Sequence, residues 1–372
     1  AAGVINGIPR LGIPTVVLAD GPAGLRISPI REGDSRTFYC TGFPIGSMLS
    51  STWNVELVEE TGKYIGNEVL EYGVDVLLAP GANIHRNPLC GRNFEYFSED
   101  PYLSGKMAAA LIRGIQSNGI SACVKHFAAN SQEEGRFTSD SVLDDRTLRE
   151  IYLPGFEAAV KEGRPATVMC SYNKLGGTHA SDHKELLTDI LRTDWGFDGL
   201  VVTDWGALND RIAAFKAGCD LNMPGGSDYM EKATLQAVKA GVLAEDDVDR
   251  SVRRILELIF RAVETRQRPY TNDYDAHHAL ARQAAEQGAA VVLGLCLFLG
   301  GDEEQDILRS KFCVALRHDI LLATSYHHNQ SVGGQMQIFE CIAVGKVFGC
   351  QFSLHECRLY IVGQVEVETA YL

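Results

Sequence analysis

The sequence predicts an α/β fold: a (β/α)8 TIM-type barrel over residues 1–290, followed by a short C-terminal tail, residues 291–372, which stays unassigned. Short apolar runs of β character alternate with longer segments of helical period, a pattern typical of parallel strands covered by helices. Nearly every run ends in a polar residue, and the carboxyl ends of barrel strands meet at one face. None is followed by the G-x-G-x-x-G turn typical of doubly wound sheets.

Six apolar runs predict the strands of this barrel. In chain order they are TVVLAD at 15–20, VDVLLAP at 74–80, SACVKHF at 121–127, ATVMCSY at 166–172, GLVVTDW at 199–205 and CDLNMP at 219–224. Each has the length of a strand, and most are nearly continuous in apolar residues. That continuity is expected when both faces of a strand are buried.

Amphipathic helices are predicted between these runs, over 55–72, 145–161 and 246–263. The Asp100-Pro101 pair indicates a helix start, and Gly73 and Gly119 indicate helix ends. The alternation of strand and helix is lost after residue 290. All 12 prolines lie at or before Pro269, and the segments QIFECIAV and RLYIVGQVEVETAYL have strand character without a motif that links them to the barrel.

Composition limits the partners of the chain. The 34 Lys and Arg residues against 48 Asp and Glu residues give a formal net charge of −14, which repels a phosphate backbone and excludes nucleic acid as a main partner. The longest apolar stretch, 289–299, is too short to span a bilayer, so we expect no membrane partner. The first residues lack the regions of a signal peptide, which favours the cytoplasm.

The ten cysteines are expected to be free thiols, because they are spread along a long chain and form no C-x-x-C pair. Several of them lie inside apolar runs. The apolar, cysteine-rich tail is compatible with a homo-oligomer.

Two carboxylates follow predicted strands. Asp204 precedes Trp205, and a carboxylate beside an aromatic plate suits a sugar ring. The alternative is that Asp204 caps a helix that starts near Ala207. Asp20 opens the turn Asp20-Gly21-Pro22, where it either forms an Asx-turn or accepts hydrogen bonds from two vicinal hydroxyls.

Charged residues also lie in a long loop and in the third predicted strand. The loop GRNFEYFSEDP, 91–101, mixes Arg92, Glu95 and Glu99 with three aromatic residues, which indicates either a solvated loop or a site. Lys125 and His126 end a small apolar strand, and a buried cation needs partners.

A metal site has weak support in the sequence. His179 and His183 have an H-x-x-x-H spacing, but they lie in a loop and the surface alternative is favoured. A metal-dependent hydrolase that uses His126, Asp204 and Asp20 as ligands stays an alternative.

Five ordered strings together resemble glycoside hydrolase family 3 β-glucosidases. They are GIPRLGIPTVVLADGPAGLR, GRNFEYFSEDP, KHFAANSQEEGR, VMCSYN and GLVVTDWGA, and the resemblance runs from about residue 7 to residue 287. It implies a retaining glycoside hydrolase that releases terminal nonreducing β-D-glucose from β-glucosides or oligosaccharides, without a cofactor or a metal. β-Xylosides and galactosides are the minor alternatives.

The resemblance also implies roles for individual residues. Asp204 matches the nucleophile, and Glu95 is expected to orient the cations from behind. The expected substrate-binding residues are Asp20, Arg92, Lys125, His126, Arg136, Met169, Tyr172 and Trp205.

The chain departs from the family pattern at both ends. It looks truncated before GIPRLGIP, and the general acid/base of the family is usually a Glu in a second domain that the tail does not resemble. Glu303, Glu304, Glu340 and Glu356 are the substitutes that the tail offers. The alternative to a hydrolase is therefore a noncatalytic sugar-binding barrel, or an inactive fragment that lacks the acid/base domain.

Overall fold

The computed structural model describes residues 3–298, with side chains up to residue 291. Within this part the chain forms nine strands and nine α-helices. The strands are β1 Gly3–Ile5, β2 Val16–Asp20, β3 Val76–Leu78, β4 Ser121–Phe127, β5 Asp140–Ser141, β6 Thr167–Cys170, β7 Lys174–Leu175, β8 Thr178–His179 and β9 Leu200–Thr203.

The α-helices vary from one turn to seven. They are α1 Gly46–Ser51, α2 Val55–Glu71, α3 Pro101–Gln116, α4 Asp145–Thr147, α5 Pro154–Ala158, α6 Arg211–Ala217, α7 Asp228–Lys239, α8 Glu245–Thr265 and α9 Tyr274–Phe298. Three π-helical segments, Leu148–Tyr152, Ala159–Gly163 and Glu185–Asp194, lie between α4 and α6. Among residues 3–298, no helix combines the length and the apolar character that a bilayer crossing demands.

The main sheet has the strand order β1-β2-β3-β4-β6-β9 and curls into a half-barrel. β1 is antiparallel to β2, and every other neighbouring pair is parallel. The short strands β5, β7 and β8 form a separate sheet beside it. The α/β class is thus confirmed, whereas a complete ring of eight strands stays a prediction.

The two faces of the curled sheet pack differently, because successive side chains of a strand point to opposite sides. Leu77, Val124 and Val201 belong to an apolar cluster that also contains most of the buried apolar residues of α2 and α3. The inner face packs in a second cluster, which includes three residues of α8, Leu258, Ile259 and Ala262. Helix α8 therefore covers the inner face of the sheet.

Five of the six predicted strand runs contain a strand of this sheet. The sixth prediction, a strand at 219–224, is wrong: only Leu221 pairs there, in an isolated parallel bridge with Val202. Two residues later the backbone N–H of Met223 donates to Thr203 Oγ1 at 2.9 Å, and Pro224 has no N–H. The ladder therefore ends after one residue.

The predicted helices at 55–72 and 246–263 correspond to α2 and α8. The helix predicted at 145–161 is divided into α4, α5 and two π-helical segments, with Pro154 at the start of α5. Asp100 caps α3, since its carboxylate accepts from the backbone N–H groups of Tyr102 and Leu103. The predicted boundary at residue 290 falls within α9, and the tail beyond residue 298 lies outside the described residues.

Two buried carboxylates fasten α8 and its C-terminal end to the sheet. Asp220 accepts from the guanidinium groups of Arg192 and Arg254, each at 2.9 Å. Asp75, at the start of β3, accepts from Arg266 Nε at 2.7 Å and from the backbone N–H of Val17 at 2.7 Å. Because both carboxylates are paired, their burial is compensated.

Candidate active site

The charged residues predicted at the strand ends meet at one edge of the sheet. Asp20 is the last residue of β2, Lys125 and His126 lie near the end of β4, and Asp204 follows β9 directly. Lys125 Nζ lies 2.5 Å from Asp20 Oδ1, and His126 Nε2 lies 3.5 Å from Asp204 Oδ2. Parallel strands bring these side chains together because their carboxyl ends lie on the same edge.

Lys125 and Asp20 form a partly buried ion pair. Burial disfavours the Asp20 anion, but the Lys125 ammonium outweighs burial, so the pKa of Asp20 is lowered. Burial also disfavours the Lys125 cation, but Asp20 and Glu95 outweigh it and the pKa of Lys125 is raised. The backbone carbonyl of Asp20, not its carboxylate, closes the turn by accepting from the N–H of Arg26 at 2.8 Å. The lowered pKa of Asp20 and the raised pKa of Lys125 keep both side chains ionised at neutral pH.

Two neighbouring residues of β4 contact this site, which simple alternation of a strand does not allow. The register between β4 and β6 shifts between Val124 and Phe127, so the usual alternation is interrupted there. Asn83, in the loop that follows β3, supports this irregular part of the β4 backbone. Its side chain accepts from the N–H of His126 at 2.8 Å and donates to the carbonyl of the same residue at 2.9 Å.

Arg92 connects the long loop to β4. Its Nη2 lies 2.8 Å from His126 Nε2, and its Nε donates to the buried carboxylate of Glu95. Burial disfavours the cation, but the pKa of Arg92 is nevertheless raised by Tyr96 and Glu95. Glu95 therefore contacts Arg92, and its expected role in orienting the cations stays a prediction.

The two carboxylate oxygens of Asp204 differ in their contacts with the described residues. Oδ1 accepts from the backbone N–H of Trp205 at 2.7 Å. Oδ2 is buried and has no hydrogen-bond partner among the described residues. The helix-cap alternative for Asp204 is wrong, because α6 begins at Arg211 and Asp210 caps it by accepting from Ile212 and Ala213.

Three aromatic and basic residues lie around Asp204. The Tyr172 hydroxyl donates to the carbonyl of Trp205 at 2.9 Å, and burial followed by the charge of Asp204 raises the pKa of Tyr172. The guanidinium of Arg136 lies 4.4 Å from the Tyr172 ring centroid. The Trp205 side chain is 47% exposed. Met169 is buried in the inner-face cluster, so its surroundings are those of a packing residue.

The structure adds residues that the sequence analysis missed. Glu133 accepts from Arg136 Nη1 at 2.9 Å and from Asn130 Nδ2 at 3.2 Å, and it lies 4.0 Å from Arg92 Nε. Tyr96 is fully buried, with its hydroxyl 3.1 Å from His126 Nδ1. Glu133 had a signal in the sequence, because it lies three positions before Arg136 and carries the opposite charge. Tyr96 had no signal beyond its aromatic neighbours.

The ligand atoms that a metal site would need are already engaged. Lys125 Nζ lies on Asp20 Oδ1, and Arg92 Nη2 lies on His126 Nε2. A cation at either position argues against a metal ion there. Among the described residues, no group of three or more His, Cys, Asp or Glu is arranged to hold a metal.

Comparison with known proteins decides the family. Residues 9–258 match the model described as the glycosyl hydrolase family 3 N terminal domain. The chain belongs to glycoside hydrolase family 3. A curated relative, thermostable beta-glucosidase B of Acetivibrio thermocellus, is 50% identical over 290 residues. A second, the exo-alpha-(1->6)-L-arabinopyranosidase of Bifidobacterium longum, is 44% identical over 287 residues.

Solved family 3 structures share the fold of this chain. Beta-glucosidase 3B from Thermotoga neapolitana, solved in complex with glucose, has a TM-score of 0.74 and 51% identity over 77% of this chain. That match covers 42% of the Thermotoga chain. The two curated relatives are likewise matched over 77% and 76% of this chain but over 38% of their own lengths. This chain therefore spans less than half of its family 3 relatives.

Proposed function

We propose that this family 3 domain carries the glucose-binding subsite and the nucleophile of a retaining β-glucosidase, with Asp204 as the nucleophile. The observation that supports this most strongly is Asp204 Oδ2, a buried carboxylate oxygen at the edge where the charged residues meet, to which no residue of the described part of the chain donates a hydrogen bond. A buried polar atom without a partner costs free energy, so it is best explained by a ligand that engages it. The substrate is a terminal nonreducing β-D-glucoside.

The remaining residues divide between binding and orientation. Asp20 accepts from sugar hydroxyls, while Lys125 and His126 on β4 and Arg92 in the long loop contact the same ring. Trp205, Tyr172 and Arg136 form the wall around the nucleophile, and Met169 packs behind it. We place this chemistry on a (β/α)8-type barrel domain over residues 1–290, because barrel enzymes carry their active residues at the carboxyl ends of parallel strands.

The reaction follows from this arrangement. An oxygen of Asp204 forms a bond to the anomeric carbon while the bond from that carbon to the leaving oxygen breaks, and the leaving oxygen takes the electron pair. Water then attacks the same carbon and breaks its bond to Asp204, which leaves as a carboxylate, and the configuration is restored. One proton of this water passes to the conjugate base of the acid that served the first step. The leaving oxygen also needs a proton in the first step. The candidate acids of the tail, Glu303, Glu304, Glu340 and Glu356, lie outside the described residues.

The test is covalent labelling with 2,4-dinitrophenyl 2-deoxy-2-fluoro-β-glucoside, followed by intact mass measurement and peptide mapping. This leaving group departs without an acid, so the result does not depend on the tail. We expect one fluoroglucosyl group on the peptide that contains Asp204, and none in Asp204→Asn. Asp210→Asn is the matched control, because Asp210 only caps α6, and it should label like the parent protein.

Two results would count against this function. A folded protein that binds glucose but takes no label would support the noncatalytic sugar-binding alternative. Faster reaction with the corresponding α-L-arabinopyranoside would move the substrate toward that of the Bifidobacterium longum relative. Both sugars are therefore compared at equal concentration.

A further inference from the structure

The hydrogen bonds of His126 determine which of its nitrogens carries the proton. Arg92 Nη2 lies 2.8 Å from Nε2, and a guanidinium can only donate. Nε2 must therefore accept. Burial, followed by the charges of Arg92, Lys125 and Arg136, lowers the pKa of His126 well below its usual value, so the ring is neutral. A neutral ring with an accepting Nε2 has its proton on Nδ1.

The second nitrogen has a partner that fits this assignment. Nδ1 lies 3.1 Å from the hydroxyl oxygen of Tyr96, which accepts the Nδ1 proton. Tyr96 is fully buried, and the amide of Asn130 approaches the same hydroxyl at 3.5 Å. Both ring nitrogens are thus engaged before any substrate binds.

The consequence concerns Asp204, whose Oδ2 lies 3.5 Å from Nε2. Because Nε2 carries no proton, these two atoms are both acceptors and form neither a hydrogen bond nor an ion pair. If the proton moved to Nε2, the ring would donate toward Asp204 and reduce the electron density available for attack. A phenol can also donate, so Tyr96 would tolerate either tautomer, whereas Arg92 tolerates only one.

We propose that Arg92 is a positioning residue that fixes His126 as the Nδ1–H tautomer and so keeps Asp204 Oδ2 free of a hydrogen bond. The part that concerns catalysis rests on the proposed role of Asp204 as the nucleophile. The assignment of the tautomer itself depends only on contacts among Arg92, His126 and Tyr96.

The test is long-range 1H–15N NMR of the full chain labelled with 15N-histidine, with the His126 signals identified by their loss in His126→Gln. In the parent protein we expect the proton on Nδ1, and a proton on Nε2 would overturn the assignment. In Arg92→Met combined with Glu95→Gln, which avoids an unpaired buried carboxylate, we expect the proton to shift to Nε2. A tautomer that stays unchanged in this variant would show that Arg92 does not determine the position of the His126 proton.

Two further variants separate the contributions. Tyr96→Phe keeps Arg92 and should therefore keep the Nδ1–H tautomer, so a shift to Nε2–H in this variant would contradict the proposal. Arg86→Met is the matched control, because Arg86 donates to the Tyr152 hydroxyl at 2.6 Å instead of to His126, and it should change nothing. The NMR result needs no turnover, so it is independent of whether Asp204 takes the fluoroglucosyl label.

Discussion

At the scale of the residue, the pairing of Asp20 with Lys125 sets the charge of the candidate site. Lys125 is buried and has Asp20 at 2.5 Å, so neither charge can be removed without affecting the other. The two side chains attract each other fully only while both are ionised. The contribution of this ion pair to the free energy of unfolding should therefore decrease at acid pH.

We expect Asp20→Asn to lower the free energy of unfolding at neutral pH by about 2 kcal/mol, because it leaves a buried ammonium without its counter-ion. This value is below that of a fully buried pair, since Asp20 is partly exposed. An unfolded Asp has a pKa of about 3.9, and the pKa of Asp20 in the folded protein is lower. The stabilisation is therefore complete above the unfolded pKa and is lost as the pH falls through the folded pKa.

The measurement is urea unfolding of the parent protein and Asp20→Asn between about pH 7 and about pH 3. The difference between the two proteins should shrink toward the acid end. A difference that stays constant over this range would show that the Asp20 charge does not stabilise the fold. The double variant with Lys125→Met should recover part of the loss, because it removes the orphaned cation.

The residues of the site differed in how far the sequence could predict them. Asp20, Lys125, His126 and Asp204 could be predicted because each follows or ends an apolar strand, and the ends of parallel strands converge. Tyr96 could not be predicted in the same way. Its role depends on a contact of 3.1 Å with His126, which lies 30 residues later in the sequence, and no local pattern encodes such a contact.

At the scale of the element, Asp220 joins the last strand to two helical segments. Besides Arg192 and Arg254, it accepts from the backbone N–H of Val201 at 2.9 Å and from Ser251 Oγ at 3.0 Å. One fully buried side chain thus links β9, α8 and the π-helical segment Glu185–Asp194. Burial, the largest influence, lowers the pKa of Arg192 to about 10 even though Asp220 is beside it.

We expect Asp220→Asn to destabilise the protein by about 3 to 5 kcal/mol, because two guanidinium groups lose their buried counter-ion. Urea unfolding at neutral pH measures this loss. The matched control is Asp34→Asn, which removes an exposed ion pair with Arg36 and should leave the unfolding midpoint in place. Equal effects of the two substitutions would contradict a structural role for Asp220.

Elements were predictable where local pattern and tertiary packing agree. The strand at 121–127 and the helix start at Asp100 follow directly from apolar continuity and from a capping carboxylate. The region 145–161 was predicted as one helix, yet Pro154 and the neighbouring π turns divide it. Periodicity specifies a helix but not the hydrogen-bonding pattern within it.

At the scale of the whole molecule, α9 joins a distant part of the chain to the helices at the N-terminal side. His277 Nδ1 lies 2.6 Å from Glu68 Oε1, and both side chains are almost completely buried. The other oxygen of Glu68 accepts from the backbone N–H of Thr41 at 2.8 Å. Asn54 and Gln287 form a second contact between α9 and the start of α2.

We expect Glu68→Leu to leave Thr41 and His277 without an acceptor and to cost about 2 kcal/mol. The loss should be concentrated in α9. Hydrogen exchange followed by mass spectrometry should therefore show faster exchange in peptides of α9 than in peptides of β4. Glu56→Gln, at an exposed position in the first turn of α2, is the control. Equal acceleration in α9 and β4 would mean that α9 does not open separately.

The half-exposed indole of Trp205 gives this molecule its own optical reporter. The chain has three tryptophans: Trp53 is exposed on the surface, and Trp195 packs edge-on against Phe127 with 5.6 Å between ring centroids. Only Trp205 lies next to Asp204. A sugar that covers its ring replaces water around the indole, so ligand occupancy can be followed as a change in the emission of the unlabelled protein.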